Sequence, residues 1–93
     1  MYVVGPAMAT PPLSTATRTF GERVRSRREG LGKSQERLAA DSGLHWTFIG
    51  QVERGRRNLS LHNILKIARG LQVDPADLVR GLEPDRRSPA DGE

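Results

Sequence analysis

Thr47, Gln51 and Arg54 recur at i, i+4 and i+7, so on a helix they share one face. A hydroxyl, a carboxamide and a guanidinium at that spacing can donate to, and accept from, the edges of base pairs. Phe48, Ile49 and Val52 form an apolar stripe on the other side, fit to pack on the second and fourth of the helices described below. Gly50 lies among the polar residues, where a missing side chain would let the helix approach a partner closely. Exposed helix faces more often carry Glu and Lys pairs, and idle solvent-facing surface is the competing reading of these residues.

Five helices are expected to position that face. Helix 1 begins at Thr19, where Thr19-Phe20-Gly21-Glu22 matches the capping box, and runs to about Gly30. Phe20, Val24 and Leu31 mark its buried side, and Gly30 and Gly32 end it. Helix 2 takes Ser34 as N-cap, carries Glu36 in its first turn, turns Leu38 and Ala39 inward and ends near Ser42. Gly43 then stops it in a left-handed conformation, and Leu44 plugs the turn. Helix 3 spans roughly His45 to Arg54. Helix 4 follows the N-cap Ser60 and repeats Leu61, Ile64, Ile67, Ala68 and Leu71 on a helical period, with Gly70 near its end. Helix 5 opens at Asp74-Pro75 and stops near Gly81. No segment reads as a strand. The expectation is an all-α domain in which helices 2 and 3 form a helix-turn-helix.

The chain of 93 residues suits one small domain, expected over residues 18–82. Residues 1–17, with Gly5, Pro6, Pro11, Pro12 and several hydroxyl residues, read as a disordered, flexible arm in which Met8 is a second candidate start. Residues 83–93 read as a flexible polar tail. Cysteine is absent, and His45 and His62 stand far apart, so neither a disulfide nor a metal site is expected, and no cofactor. No apolar run approaches the roughly 20 residues that cross a bilayer. The N-terminal apolar stretch has no preceding Lys or Arg, unlike a secretory signal. A cytoplasmic protein without a membrane partner is the expectation.

Net charge is +4, unevenly spread. Between Arg18 and Asn58 ten basic residues face five acids, whereas from Asp74 onward three arginines face six acids. The excess around the suspected motif favours a polyanion; a solvated basic surface explains it equally.

The segment resembles the helix-turn-helix of the phage repressor and Cro family, often called Xre-type. The matching residues are Ser34-Gln35-Glu36, Leu38-Ala39, Ser42-Gly43-Leu44, Ile49 and Val52-Glu53-Arg54-Gly55. They continue through Asn58-Leu59-Ser60-Leu61, Asn63 to Ala68, and Leu71, so the likeness covers about Phe20 to Leu82. Within the family, SGLHWTFIGQVERGRRNLSLHNI is similar to the controller proteins of restriction–modification systems. The resemblance implies a five-helix, lambda-repressor-like fold and binding to double-stranded DNA, nucleoid-associated when bound. It implies base contacts from Gln35, Trp46, Thr47, Gln51 and Arg57. Trp46 departs from the polar or basic side chains usual at its position. Phosphate contacts are implied for Ser34, Arg54, Asn58 and the Leu61 and His62 amides at the start of helix 4. Glu53 matches an acid that pairs with an arginine of helix 1, here Arg28, as a structural ion pair. Arg27 and Lys33 stand where relatives usually place leucine, implying looser packing of helix 1 or a larger basic surface.

Leu78, Val79 and Leu82 exceed what a short terminal helix needs to close a small core, and Leu65 lies off the main stripe of helix 4. These four are expected to form a homodimer interface; the competing reading is that Leu78 merely closes the monomer's own core. Such a dimer would place two recognition helices about 34 Å apart on a palindromic operator. The same fold also serves antitoxins and adaptors, so a protein partner such as a toxin or RNA polymerase is the alternative. An enzyme is not expected, since the sequence has no metal-protease, phosphate-loop or nucleophile-elbow motif.

Overall fold

Each helix begins at a side chain that accepts from an amide the helix itself cannot satisfy. The computed structural model describes residues 10–85, among which five helices follow in order. They are α1 (Thr15–Gly30), α2 (Gln35–Ser42), α3 (Trp46–Glu53), α4 (Leu61–Leu71) and α5 (Pro75–Val79). Ser34 accepts from Arg37 N, Ser60 from Asn63 N and Asp74 from Ala76 N, at 2.9, 3.1 and 2.8 Å. These caps set α2, α4 and α5 where the sequence places them, and α3 agrees to within one residue at each end.

Helix α1 starts at Thr15 rather than Thr19. Ser14 and Thr17 close the capping box instead: Ser14 Oγ accepts from Thr17 N, and Thr17 Oγ1 from Ser14 N, each at 3.0 Å. Residues 15–17, expected in the flexible arm, are thus the first helical turn. Leu13 N and Thr17 Oγ1 also donate to Gly55 O, at 2.8 and 2.9 Å, stitching the start of α1 to the turn after α3. At the other end, Asp85 Oδ1 accepts from Thr15 N at 3.1 Å. The remainder of the expected arm and tail, residues 1–9 and 86–93, lies outside the described residues.

The core is built from Phe20 and Val24 of α1, Leu38 and Ala39 of α2, Ile49 and Val52 of α3, Ile67, Ala68 and Leu71 of α4, and Leu78 of α5. Truncating a side chain as enclosed as Leu38 costs about 2–5 kcal/mol. Helix α3 rests mainly on α1 and α2, while α2 packs on α4 and α1 reaches α4 and α5. The apolar stripe of α3 therefore packs mainly on the first and second helices, where the second and fourth were expected. Gly21 is the reason: a Cβ there would lie 2.7 Å from Glu53 O, so only glycine lets α1 cross directly against the end of α3. Gly43 takes φ 70°, the left-handed stop expected of it. Leu61, assigned by its period to the buried side of α4, is 71% exposed; it is the first residue of the helix and no neighbouring element covers it.

Arg27 and Lys33 loosen nothing. Lys33 Nζ donates to Asp41 Oδ2 at 2.6 Å and to Gly70 O at 2.7 Å, tying the turn after α1 to α2 and α4. Arg27 Nε donates to Leu71 O at 3.2 Å, and Arg23 Nη1 to Leu78 O and Arg80 O at 3.1 and 2.9 Å. These cations sit where the last carbonyls of a helix lack partners and its dipole is negative. Much of the positive charge of α1 is accordingly turned to the protein's own backbone.

Candidate nucleic-acid interface

One side of α3 is committed to the core through Ile49 and Val52, which leaves the other side to present Trp46, Thr47, Gln51 and Arg54. Trp46, Thr47 and Arg54 are exposed and Gln51 is half-buried. Trp46 retains 49% of its surface, a large share for an indole. Its ring stacks on His45, with centroids 6.0 Å apart and planes inclined by 26°.

His45 is itself the N-cap of α3. Its Nδ1 accepts from Thr47 N at 3.1 Å, and the Thr47 hydroxyl lies 2.7 Å from the same nitrogen. An imidazole nitrogen that accepts from an amide must be unprotonated, so the neutral ring carries its hydrogen on Nε2. His45 thus fixes both the start of the helix and the rotamer of one reading residue. The sequence reading gave His45 no such role. The available signal was its place immediately before the helix, filled here by a ring nitrogen instead of the commoner Ser, Thr, Asp or Asn.

Arg28 and Glu53 come together beneath this face. Arg28 Nε donates to Glu53 Oε2 at 2.6 Å and Nη2 to Oε1 at 3.0 Å, a two-pronged pair with both residues buried. The hydrogen bond to Glu53 outweighs burial and raises the guanidinium pKa above its already high ordinary value. Arg28 Nη1 also donates to Lys33 O at 2.8 Å. Gln35, the first residue of α2, lies over the same carboxylate and donates Nε2 to Glu53 Oε1 at 3.0 Å. Gly50 is buried under that carboxamide rather than facing outward; a Cβ there would meet Gln35 Oε1 and Arg54 Nη1 at ordinary contact distances. The close approach assigned to Gly50 is therefore to the protein's own side chains.

Two helix N-termini carry other residues of the expected set. Ser34 is exposed, and its Oγ accepts from Arg37 N, leaving its hydroxyl hydrogen free to donate outward. Asn58, Leu61 and His62 are exposed around the start of α4. The Leu61 and His62 amides precede the first intrahelical bond, from Ile64 N to Ser60 O, and are donors of the kind that bind oxyanions. Arg57 is exposed, with its guanidinium carbon 5.0 Å from the centre of the Phe48 ring, a cation–π arrangement that restrains its direction.

The four residues expected at a dimer interface are not equivalent. Leu65 and Val79 are 44% and 40% exposed, and Leu82 is half-buried. Leu78 is 2% exposed and closes the monomer's own core, so it is not available to a partner. Its position follows from α5, whose short length leaves a single residue directed into the core.

A helix-turn-helix family model matches residues 24–78. Control protein C.BamHI of Bacillus amyloliquefaciens is 49% identical over 61 residues, covering 64% of this chain and 75% of that protein. The structure is similar to that of the restriction–modification controller protein C.AhdI from Aeromonas hydrophila, at a TM-score of 0.65 and 50% identity, covering 67% of this chain and 94% of that one. It is also similar to C.Esp1396I bound to a 19 base pair DNA duplex, at a TM-score of 0.65 and 31% identity, covering 70% and 87% of the two chains.

Proposed function

The chain belongs to the Xre-type helix-turn-helix family, and from that premise we propose that it is a homodimeric transcriptional regulator that reads a palindromic operator in double-stranded DNA. The observation that carries this reading is the outer face of α3. Trp46, Thr47 and Gln51 stand clear of the core on a helix otherwise anchored by it, beside two helix N-termini suited to phosphates. No cofactor or catalytic step enters this function, and the relatives are regulators rather than enzymes.

With α3 in the major groove, Gln51 pairs with adenine through its carboxamide and the Thr47 methyl meets a thymine methyl. Trp46, Gln35 and Arg57 complete the base-facing set. Ser34, Arg54, Asn58 and the Leu61 and His62 amides fix the register on the backbone. Leu65 and Val79, with Leu82 beside them, form the two-fold contact that spaces the recognition helices about one DNA turn apart. The named relatives are control proteins, which points to a promoter of a restriction–modification system as the target and to the cytoplasm, at the nucleoid, as the place of action.

Selection of random duplex DNA by the purified protein tests this. The expected result is an enriched palindrome whose preference at one position in each half-site falls about tenfold or more in Gln51→Ala, the value of a good base contact. A folded dimer that enriches no sequence would overturn the reading and favour a protein partner, which a toxin or polymerase pull-down would then seek.

A further inference from the structure

Gln35 is the only residue of the base-facing set whose side chain is bonded to the buried ion pair among the described residues. The chemistry of that bond fixes its direction. A carboxylate gripped at both oxygens by a guanidinium is ionised, and an ionised carboxylate only accepts. The Gln35 carboxamide can therefore turn only its NH2 end toward Glu53, which leaves Oε1 and one N–H uncommitted. A free glutamine flips between two orientations and so exchanges the places of its donor and acceptor. This one is held in a single orientation, with its acceptor and remaining N–H in fixed places.

We infer that Glu53 is a positioning residue for DNA specificity: held by Arg28, it fixes the Gln35 carboxamide so that Oε1 faces the base edge and selects an exocyclic amine. Adenine N6 and cytosine N4 present such a donor in the major groove, whereas guanine O6 and N7 and thymine O4 are acceptors that Oε1 would oppose. Gly50 belongs to the device, because the carboxamide lies across it on the way to Glu53. The inference rests on the DNA-reading function proposed above and adds a residue that never touches DNA. It also gives the ion pair a role distinct from stability, which an apolar pair of similar volume can often match.

The test compares duplex selection by the wild-type protein, Gln35→Ala, the paired variant Arg28→Met/Glu53→Met, and the triple variant, with thermal melting to establish that each is folded. Gln35→Ala identifies the base-pair position that Gln35 reads. At that position the wild type prefers adenine or cytosine on the contacted strand, the paired variant loses at least about fivefold of the preference, and the triple variant loses no more. Preferences at the positions assigned to Gln51 stay sharp in the paired variant. An unchanged preference in the paired variant overturns the inference while leaving the DNA-reading function intact, as does Gln35→Ala leaving every position unchanged. No enrichment by the wild type instead overturns the function itself. Should the paired variant fail to fold, nuclear relaxation of the Gln35 side-chain nitrogen in the wild-type protein decides. Restricted motion supports the inference, and an order parameter below about 0.6, that of a freely turning group, overturns it.

Discussion

Glu53 takes three hydrogen bonds, two from Arg28 and one from Gln35, and each donor would be left unpaired if the carboxylate were removed. Glu53→Ala is expected to destabilise the protein by about 3–5 kcal/mol, because it strands a buried guanidinium; urea denaturation measures it, and a midpoint equal to wild type would contradict the account. Asp41 supplies a pH dependence of opposite visibility, near the surface. The Lys33 ammonium, helped by Arg37 and opposed by partial burial, lowers the Asp41 carboxyl below its ordinary value of 3.8. A group depressed on folding contributes stability that is complete above its unfolded value and is lost as pH falls through the folded one. Melting temperature should therefore drop as acid passes below about 3.8, and Lys33→Met should flatten that part of the profile. The Arg28–Glu53 pair was legible in the sequence through the family resemblance. The Lys33 bonds were not, since a charge in a sequence carries no depth, and the position suggested only a lost leucine.

Among the elements, α2, α4 and α5 were legible because their cap residues marked where each begins, and α3 was legible from its polar and apolar faces following the stop at Gly43. Helix α1 was misplaced by one turn. Thr19 and Glu22 make the commoner capping pair, but Ser14 and Thr17 make an equivalent one with two hydroxyls, and the bonds to Gly55 O reward the earlier start. The angle at which α1 meets α3 was also invisible, as it depends on one missing side chain at Gly21. Gly21→Ala is expected to push α1 off the backbone of Val52 and Glu53 and cost at least about 1–3 kcal/mol as overpacking. The paired change Gly30→Ala, where a Cβ meets nothing within 4 Å, provides the control. A Gly21→Ala protein as stable as Gly30→Ala would show that the crossing has slack.

For the whole molecule, the basic excess pointed toward a polyanion for a partly mistaken reason. Arg23, Arg27, Arg28 and Lys33 bond to the protein's own carbonyls and carboxylates, whereas Arg54 and Arg57, near the end of α3, are exposed. No count of residue types separates inward from outward cations; only the packing of α1 against α4 and α5 does. That packing has another result. Asp85 touches the first amide of α1, and Arg23 reaches the carbonyls at Leu78 and Arg80, so the two extremities of the described fold lie side by side. The order in which its helices are strung is then a convention of the gene, not a requirement of the architecture. A circular permutant in which a flexible linker joins residue 85 to residue 10, so that Leu13 and Ser14 keep their places before α1, and which is opened between Gln72 and Val73 in the turn before α5, should fold and melt cooperatively. Circular dichroism would detect it, and failure of such a chain to fold would mean that this turn closes the structure as well as connecting it.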